Sequence, residues 1–326
     1  MKDIVEPYRK QIDEKLALLD LPVRPESLYT PVRYMISLGG KRMRPVMVMI
    51  ASELFGGEKS LALNAALAIE VFHNFTLLHD DIMDKAPLRR GMATVHEKWN
   101  SDIAILSGDV MFVKSCQLML EASRSGSAPY TMELFLKTAM DVCEGQQMDM
   151  DFATGTDVSI DNYLEMIRLK TAVLLGCSLG VGAGIAKASS EAIGHLYDFG
   201  VNLGIAFQLQ DDILDVYGSQ EKVGKQVGGD IISNKKTFLM LTALTHAQGS
   251  LKQELEGWLE KEKFEPREKI IAVKSIFDRL DVRQSAIDRM DMLYGEALKH
   301  LDALPLTVQQ TAPLRELAGV LMAREN

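Results

Sequence analysis

The chain has 326 residues, 47% of them apolar and 25% charged, with a formal net charge of −9. This is the composition of a soluble globular protein with enough residues for a large core. The acidic balance argues against nucleic-acid binding, but an acidic protein can still hold an anionic small molecule in a basic pocket.

The N-terminal stretch "MKDIVEPYRKQIDEK" is charged and lacks the apolar core of a secretory signal. Pro7, Pro22, Pro25, Pro31 and Pro45 punctuate the first fifty residues. From there helix signals dominate, and no hairpin pattern stands out. Residues 61–83 contain no proline or glycine and are apolar nearly all round, which predicts a helix buried on most faces. Pro87 lies just past its end. Further helices are expected at 101–124, 130–152, 160–176 and 189–217, the last closed by Gly218. The apolar run at 171–186 is short and glycine-rich, so it reads as a core helix and not a membrane span. Residues 218–236 are polar, with many glycines and lysines, and read as a mobile loop. The remainder returns to amphipathic helix. Cys116, Cys143 and Cys177 have no metal-type spacing; so sparse a set suggests buried thiols in a reducing, cytoplasmic setting.

Two short acidic motifs recur: Asp80, Asp81 and Asp84 in "DDIMD", and Asp211, Asp212 and Asp215 in "DDILD". Positions i and i+4 lie about 40° apart on a helix, so Asp80 and Asp84 share a face, as do Asp211 and Asp215. Like charges at that spacing repel, and acids at a helix C-terminus oppose the macrodipole. Such placement calls for a compensating cation. Carboxylates without companion His or Cys suit Mg2+, which is commonly completed by water and substrate phosphate oxygens.

Cationic residues accompany both motifs. Arg89 and Arg90 follow the first; Lys225, Lys235 and Lys236 follow the second. "GGKRMRP" adds Lys41, Arg42 and Arg44, and His73 lies two helical turns before Asp80. Together they suggest two anionic ligands, one held through metal and the other by Lys, Arg and His alone. "GKQVGG" lacks the order of a P-loop, and there is no GxGxxG.

The run "GGKRMRP", "HDDIMD", "LRRG", "TVH", "GQQMD", "KT", "FQLQDD", "GK" and "GGDIISNKKT" resembles the trans-isoprenyl diphosphate synthase (polyprenyl synthetase) family over residues 35–240. The resemblance implies an all-α, isoprenoid-synthase-type helical bundle around a deep central cavity. It also implies one domain over 1–326 and a homodimer without membrane span. The implied reaction condenses isopentenyl diphosphate with dimethylallyl, geranyl or farnesyl diphosphate. By the same resemblance Asp80, Asp84 and Asp211 match ligands of up to three Mg2+, with Asp81, Asp212 and Asp215 in support. Arg89, Lys170, Lys225 and Lys235 match contacts to the allylic diphosphate. Thr171 and Gln208 match residues facing the carbocation. Lys41, Arg44, His73 and Arg90 match the isopentenyl diphosphate site. Residues 218–236 would form a lid. Phe75 and Phe72, five and eight residues before Asp80, match positions where bulky aromatics floor the product cavity. They point to geranylgeranyl diphosphate (C20), with farnesyl diphosphate (C15) the nearest alternative. A class I terpene cyclase and a non-catalytic synthase subunit are the rival readings. The first would not need the second diphosphate site, and the second would tend to lose a DDxxD.

Overall fold

The computed structural model describes residues 2–125, 128–155, 157–218 and 227–323. The chain is a succession of helices: α1 (Lys2–Ala17), α2 (Glu26–Ser37), α3 (Met43–Leu54) and α4 (Lys59–Met83), then α5 (Val95–Lys98), α6 (Ser101–Ala122) and α7 (Ala128–Thr154). Next come α8 (Ile160–Ile167), a π-helical turn (Arg168–Ala172), α9 (Val173–Ile185) and α10 (Ser190–Tyr217). Helices Gly229–Ile232, Phe238–His246, Gly249–Glu260, Pro266–Arg279, Val282–Asp302 and Val308–Met322 complete it. Local chemistry explains several starts. Asn100 caps α6 by accepting from the Ile103 N–H at 2.8 Å, and Ser159 and Asn162 form a reciprocal capping box on α8. Pro266 takes the first turn of its helix, where no N–H is needed.

Several expectations need adjusting. The predicted helix at 160–176 continues through the π turn to Ile185, because nothing between them breaks the backbone. Pro7 and Pro31 lie inside α1 and α2 and do not punctuate. A hairpin does exist: β1 (Leu88–Arg89) pairs antiparallel with β2 (Met92–Ala93), Leu88 opposite Ala93. Its two turn residues, Arg90 and Gly91, have φ of 54° and 77°. Two-residue hairpin turns with positive φ favour Asn-Gly or Asp-Gly, so an Arg-Gly turn gave little signal. Of the thiols, Cys177 is buried, but Cys116 is half-buried and Cys143 exposed. Among the described residues three helical stretches are long and apolar enough to cross a membrane: Lys59–Met83, Ser101–Ala122 and Ile160–Ile185. Their apolar windows are 61%, 39% and 83% buried in the fold.

The chain divides into two compact units. The first comprises Met1–Lys137, Cys177–Tyr197 and Pro305–Leu314. Its core is built on α4, which packs on α3 and α6. Val46, Met47 and Ile50 of α3, Ala65, Ile69 and Phe72 of α4, and Met111 and Met119 of α6 are all essentially without solvent exposure. The second comprises Thr138–Gly176, Asp198–Leu304 and Arg315–Asn326. Tyr163, Ile167, Leu209, Ile213, Leu239, Val273, Phe277 and Leu293 anchor its core.

Candidate active site

In the first unit the acidic motif ends α4, and its members separate by face. Asp84 is the exposed C-cap residue and Asp80 is half-buried. Asp81, a further 100° round the helix from Asp80, is buried. Both Asp81 oxygens accept from Arg89, Oδ2 from Nε and Oδ1 from Nη2, each at 2.7 Å. This bidentate pair joins the helix end to strand β1. His79, next to Asp80, turns Nε2 to the Ile105 carbonyl at 3.2 Å. The motif therefore offers carboxylate oxygens only, which is the donor chemistry of a hard cation such as Mg2+.

A cationic cluster lies in the same unit. Arg42 has a left-handed backbone (φ 53°) and turns inward. It donates to Asp13 Oδ1 at 2.9 Å, to the Ile36 carbonyl at 3.2 Å and to Glu70. Asn74 braces Glu70 from one turn on, at 3.1 Å. Arg44, two residues later, points elsewhere: Nη1 donates to His73 Nε2 at 3.3 Å, and its Nε is buried without a partner. An arginine donates only, so His73 accepts through Nε2 and carries its proton on Nδ1. Burial, then Arg44, Arg90, Arg89 and Arg42, hold His73 well below the ordinary histidine value, so it is neutral. The Arg90 guanidinium lies over Gly40, where a Cβ would meet Nη2 at 3.0 Å. Lys41 is exposed.

Behind the motif, Phe72 is buried and Phe75 half-buried. Their rings lie 5.6 Å apart. Phe112 of α6 touches both, at 6.0 and 5.4 Å, and Phe135 of α7 packs edge-on against Phe72 at 5.4 Å. Sequence reasoning missed Phe112 and Phe135, because neither stands at a motif-related spacing.

In the second unit Asp211, Asp212 and Asp215 lie on the last turns of α10. Asp212 is buried; Tyr163 donates its hydroxyl to Oδ2, and Gln208 Nε2 reaches Oδ1 at 3.5 Å. Burial pushes this carboxyl up to about 7, opposed first by the Tyr163 hydrogen bond. Asp215 Oδ2 accepts from the Asp230 N–H at 3.0 Å, and its carbonyl accepts from Gly228 at 2.6 Å. Lys170 and Thr171 sit on the π turn, a distortion frequent at functional sites. Lys170 Nζ donates to Asp149 Oδ2 at 2.6 Å. Asp149 closes "GQQMD" and was not singled out as a site residue. Gly145 of the same segment lets α7 approach the turn: a Cβ there would lie 2.3 Å from the Lys170 nitrogen. The Lys235 N–H donates to the Asp230 carbonyl at 2.9 Å. Lys225 and residues 219–226 of the expected lid lie outside the described residues; of the rest, which was expected to be a mobile loop, Gly229–Ile232 is helical. Among the described residues no three His, Cys, Asp or Glu side chains already converge as a metal cluster.

A sequence profile described as Polyprenyl synthetase matches residues 25–277. A geranylgeranyl diphosphate synthase of Saccharolobus solfataricus is 38% identical over 282 residues, 84% of this chain and 83% of that protein. A geranylfarnesyl diphosphate synthase of Natronomonas pharaonis is 37% identical over 256 residues, 72% of this chain and 74% of its own. The solved structure of a geranylgeranyl pyrophosphate synthetase from Pyrococcus horikoshii Ot3 matches with a TM-score of 0.91 and 33% identity over 99% of both chains. The all-α fold is thus that of the isoprenoid-synthase-type prenyltransferases. The chain belongs to the polyprenyl synthetase family.

Proposed function

We propose that the protein is a chain-elongating synthase that condenses isopentenyl diphosphate with an allylic diphosphate to give all-trans geranylgeranyl diphosphate. One observation supports this above the rest. A carboxylate-only motif and a cationic cluster of Arg44 and Arg90 about neutral His73 occur in the same unit. A cyclase needs only the first; a condensing enzyme needs both. The chain acts as one domain over 1–326, in a reducing cytoplasm and as a homodimer.

Arg44, Arg90 and Lys41 bind isopentenyl diphosphate, and His73 supplies its Nδ1–H. Lys235, Lys225, Lys170 and Arg89 bind the allylic diphosphate; Asp149 and Asp81 hold the last two in place. Asp80, Asp84 and Asp211 would hold Mg2+, which when bound supplies positive charge to the departing diphosphate. Asp81, Asp212 and Asp215 support this set from within the protein. The allylic C1–O bond breaks with both electrons going to oxygen. C4 of isopentenyl diphosphate then bonds to C1, and a C2 proton leaves to the released diphosphate. Thr171 and Gln208 turn hydroxyl and amide dipoles toward the cation. Water must be kept from the allylic cation, which it would otherwise trap. Phe75, backed by Phe72 and Phe112, ends the space for the tail.

Purified protein should be incubated with Mg2+, isopentenyl diphosphate and each of dimethylallyl, geranyl and farnesyl diphosphate, and the products separated by length. The expected product is C20 from every starter. Arrest at C15 would overturn the length assignment. Hydrocarbon formed without isopentenyl diphosphate would make it a cyclase, and no turnover by the lone chain a partner subunit.

A further inference from the structure

Lys269 has no solvent exposure, yet among the described residues none of its partners is a carboxylate. Its ammonium donates to the Asn234 Oδ1 at 2.5 Å and the Ile232 carbonyl at 3.3 Å, and sits 4.2 Å from the centre of the Phe264 ring. Burying a cation against neutral acceptors is costly, and an apolar side chain of that length would fill the space without the cost. What the ammonium adds is a pair of hydrogen bonds to one turn, at Ile232 and Asn234.

That turn leads straight into Lys235. Asn234 has a left-handed backbone (φ 56°), and its side chain also donates to the Leu259 carbonyl at 2.9 Å. Lys235 is then held by its own N–H on the Asp230 carbonyl and by its carbonyl under the Thr237 N–H, both at 2.9 Å. The other end of the segment is moored to the second acidic motif. Gly228 (φ 83°) gives its N–H to the Asp215 carbonyl and lies so close over Ile270, the neighbour of Lys269, that a Cβ would meet Ile270 Cγ1 at 2.7 Å. Asp230 is tied to the Asp215 carboxylate. The stretch 228–237 is therefore a strap fastened to α10 at one end and to the helix Pro266–Arg279 at the other.

We infer that Lys269 is a positioning residue: through Asn234 it sets where Lys235 presents its ammonium to the diphosphate of the allylic substrate. This rests on the proposed role of Lys235. It goes further in assigning a buried lysine, 34 residues downstream of Lys235 and outside every motif, to the same task.

The test uses the full chain with Mg2+. Inorganic pyrophosphate binding is measured by calorimetry, KM is measured for both substrates, and thermal unfolding is followed alongside. The variants are Lys235→Met, Lys269→Met, the double variant and Asn234→Gly. The last keeps the left-handed backbone and deletes only the side-chain mooring. Lys235→Met should weaken pyrophosphate about tenfold, the scale of one charge-assisted bond. Lys269→Met and Asn234→Gly should each weaken pyrophosphate and raise the allylic KM several-fold, with the isopentenyl diphosphate KM unchanged. In the Lys235→Met background Lys269→Met should add less than twofold, because its effect passes through the missing ammonium. If Lys235→Met weakens binding while Asn234→Gly and Lys269→Met do not, the inference is overturned and the role of Lys235 stands. Full additivity in the double variant overturns it equally. If Lys235→Met itself has no effect, the proposed site fails and takes the inference with it. Should Lys269→Met not fold, Asn234→Gly decides.

Discussion

Replacing Glu70 by glutamine removes one charge from a pair whose two side chains are each 3% exposed. The Arg42 guanidinium stays buried. Its other carboxylate, Asp13, is 44% exposed and well screened. Breaking a buried pair from one side costs about 3–5 kcal/mol, while a pair open to water contributes roughly 0–1 kcal/mol. Glutamine keeps one acceptor oxygen, so Glu70→Gln belongs near the lower end, about 3 kcal/mol. At ~2 °C per kcal/mol for a chain of this size, the melting temperature should fall by about 6 °C. Asp13→Ala should lower it by about 2 °C or less. Calorimetry on the two variants provides the comparison, each a control for the other. Since Arg42 sets the backbone between Lys41 and Arg44, Glu70→Gln should also raise the KM for isopentenyl diphosphate and leave the allylic KM alone. A melting point within 2 °C of wild type, or an equal fall for Asp13→Ala, would refute the view that Glu70 is the counter-charge holding this loop.

Phe75→Ala removes a ring that packs on Phe72 and Phe112, opening room for about one more isoprene unit. Reversed-phase separation should show products of C25 or longer, and an unchanged distribution would mean Phe75 is not the floor. Gly145→Ala drives a methyl into the Lys170 backbone. It should cost about 1–3 kcal/mol by denaturant unfolding and most of the activity, through the displaced π turn. His73, held neutral by burial and its arginines, should show no titration between pH 6 and 8 by NMR. The sign follows: below the unfolded value of about 6.5 the unfolded chain binds a proton that the native chain refuses. The stability linked to His73 is therefore present above that pH and lost as pH falls below it. Asp80→Ala and Asp211→Ala should each lower kcat by ~100-fold or more with circular dichroism unchanged, and chelation of Mg2+ should do the same reversibly.

Much of the site was legible because one helix periodicity carries it. The run from 61 to 83 without proline or glycine, apolar nearly all round, matches α4 (Lys59–Met83) closely. Periodicity could also have separated Asp81 from Asp80, but not told what would meet it. The partner, Arg89, comes from a hairpin whose Arg90-Gly91 turn lacks the usual residues. Within "GGKRMRP" three cations look equivalent. A left-handed backbone at Arg42 turns one of them inward and leaves Arg44 to His73. The π turn under Lys170 and Thr171 had no sequence signal, since Gly145, which makes room for it, lies 25 residues away.

The sequence by itself determined the chemistry on offer. Two DDxxD motifs, the Arg and Lys around them and an apolar helical pattern put paired carboxylates and phosphate-binding cations in an all-α protein. Local periodicity and residue type suffice for that. Only the tertiary structure decided which member of each motif faces outward and which is consumed inside: Asp81 by Arg89, Asp212 by Tyr163, Arg42 by Glu70. The reason is physical. A buried charge must find a partner, and those partners lie between 8 and 49 residues away in the chain, beyond the reach of any local pattern.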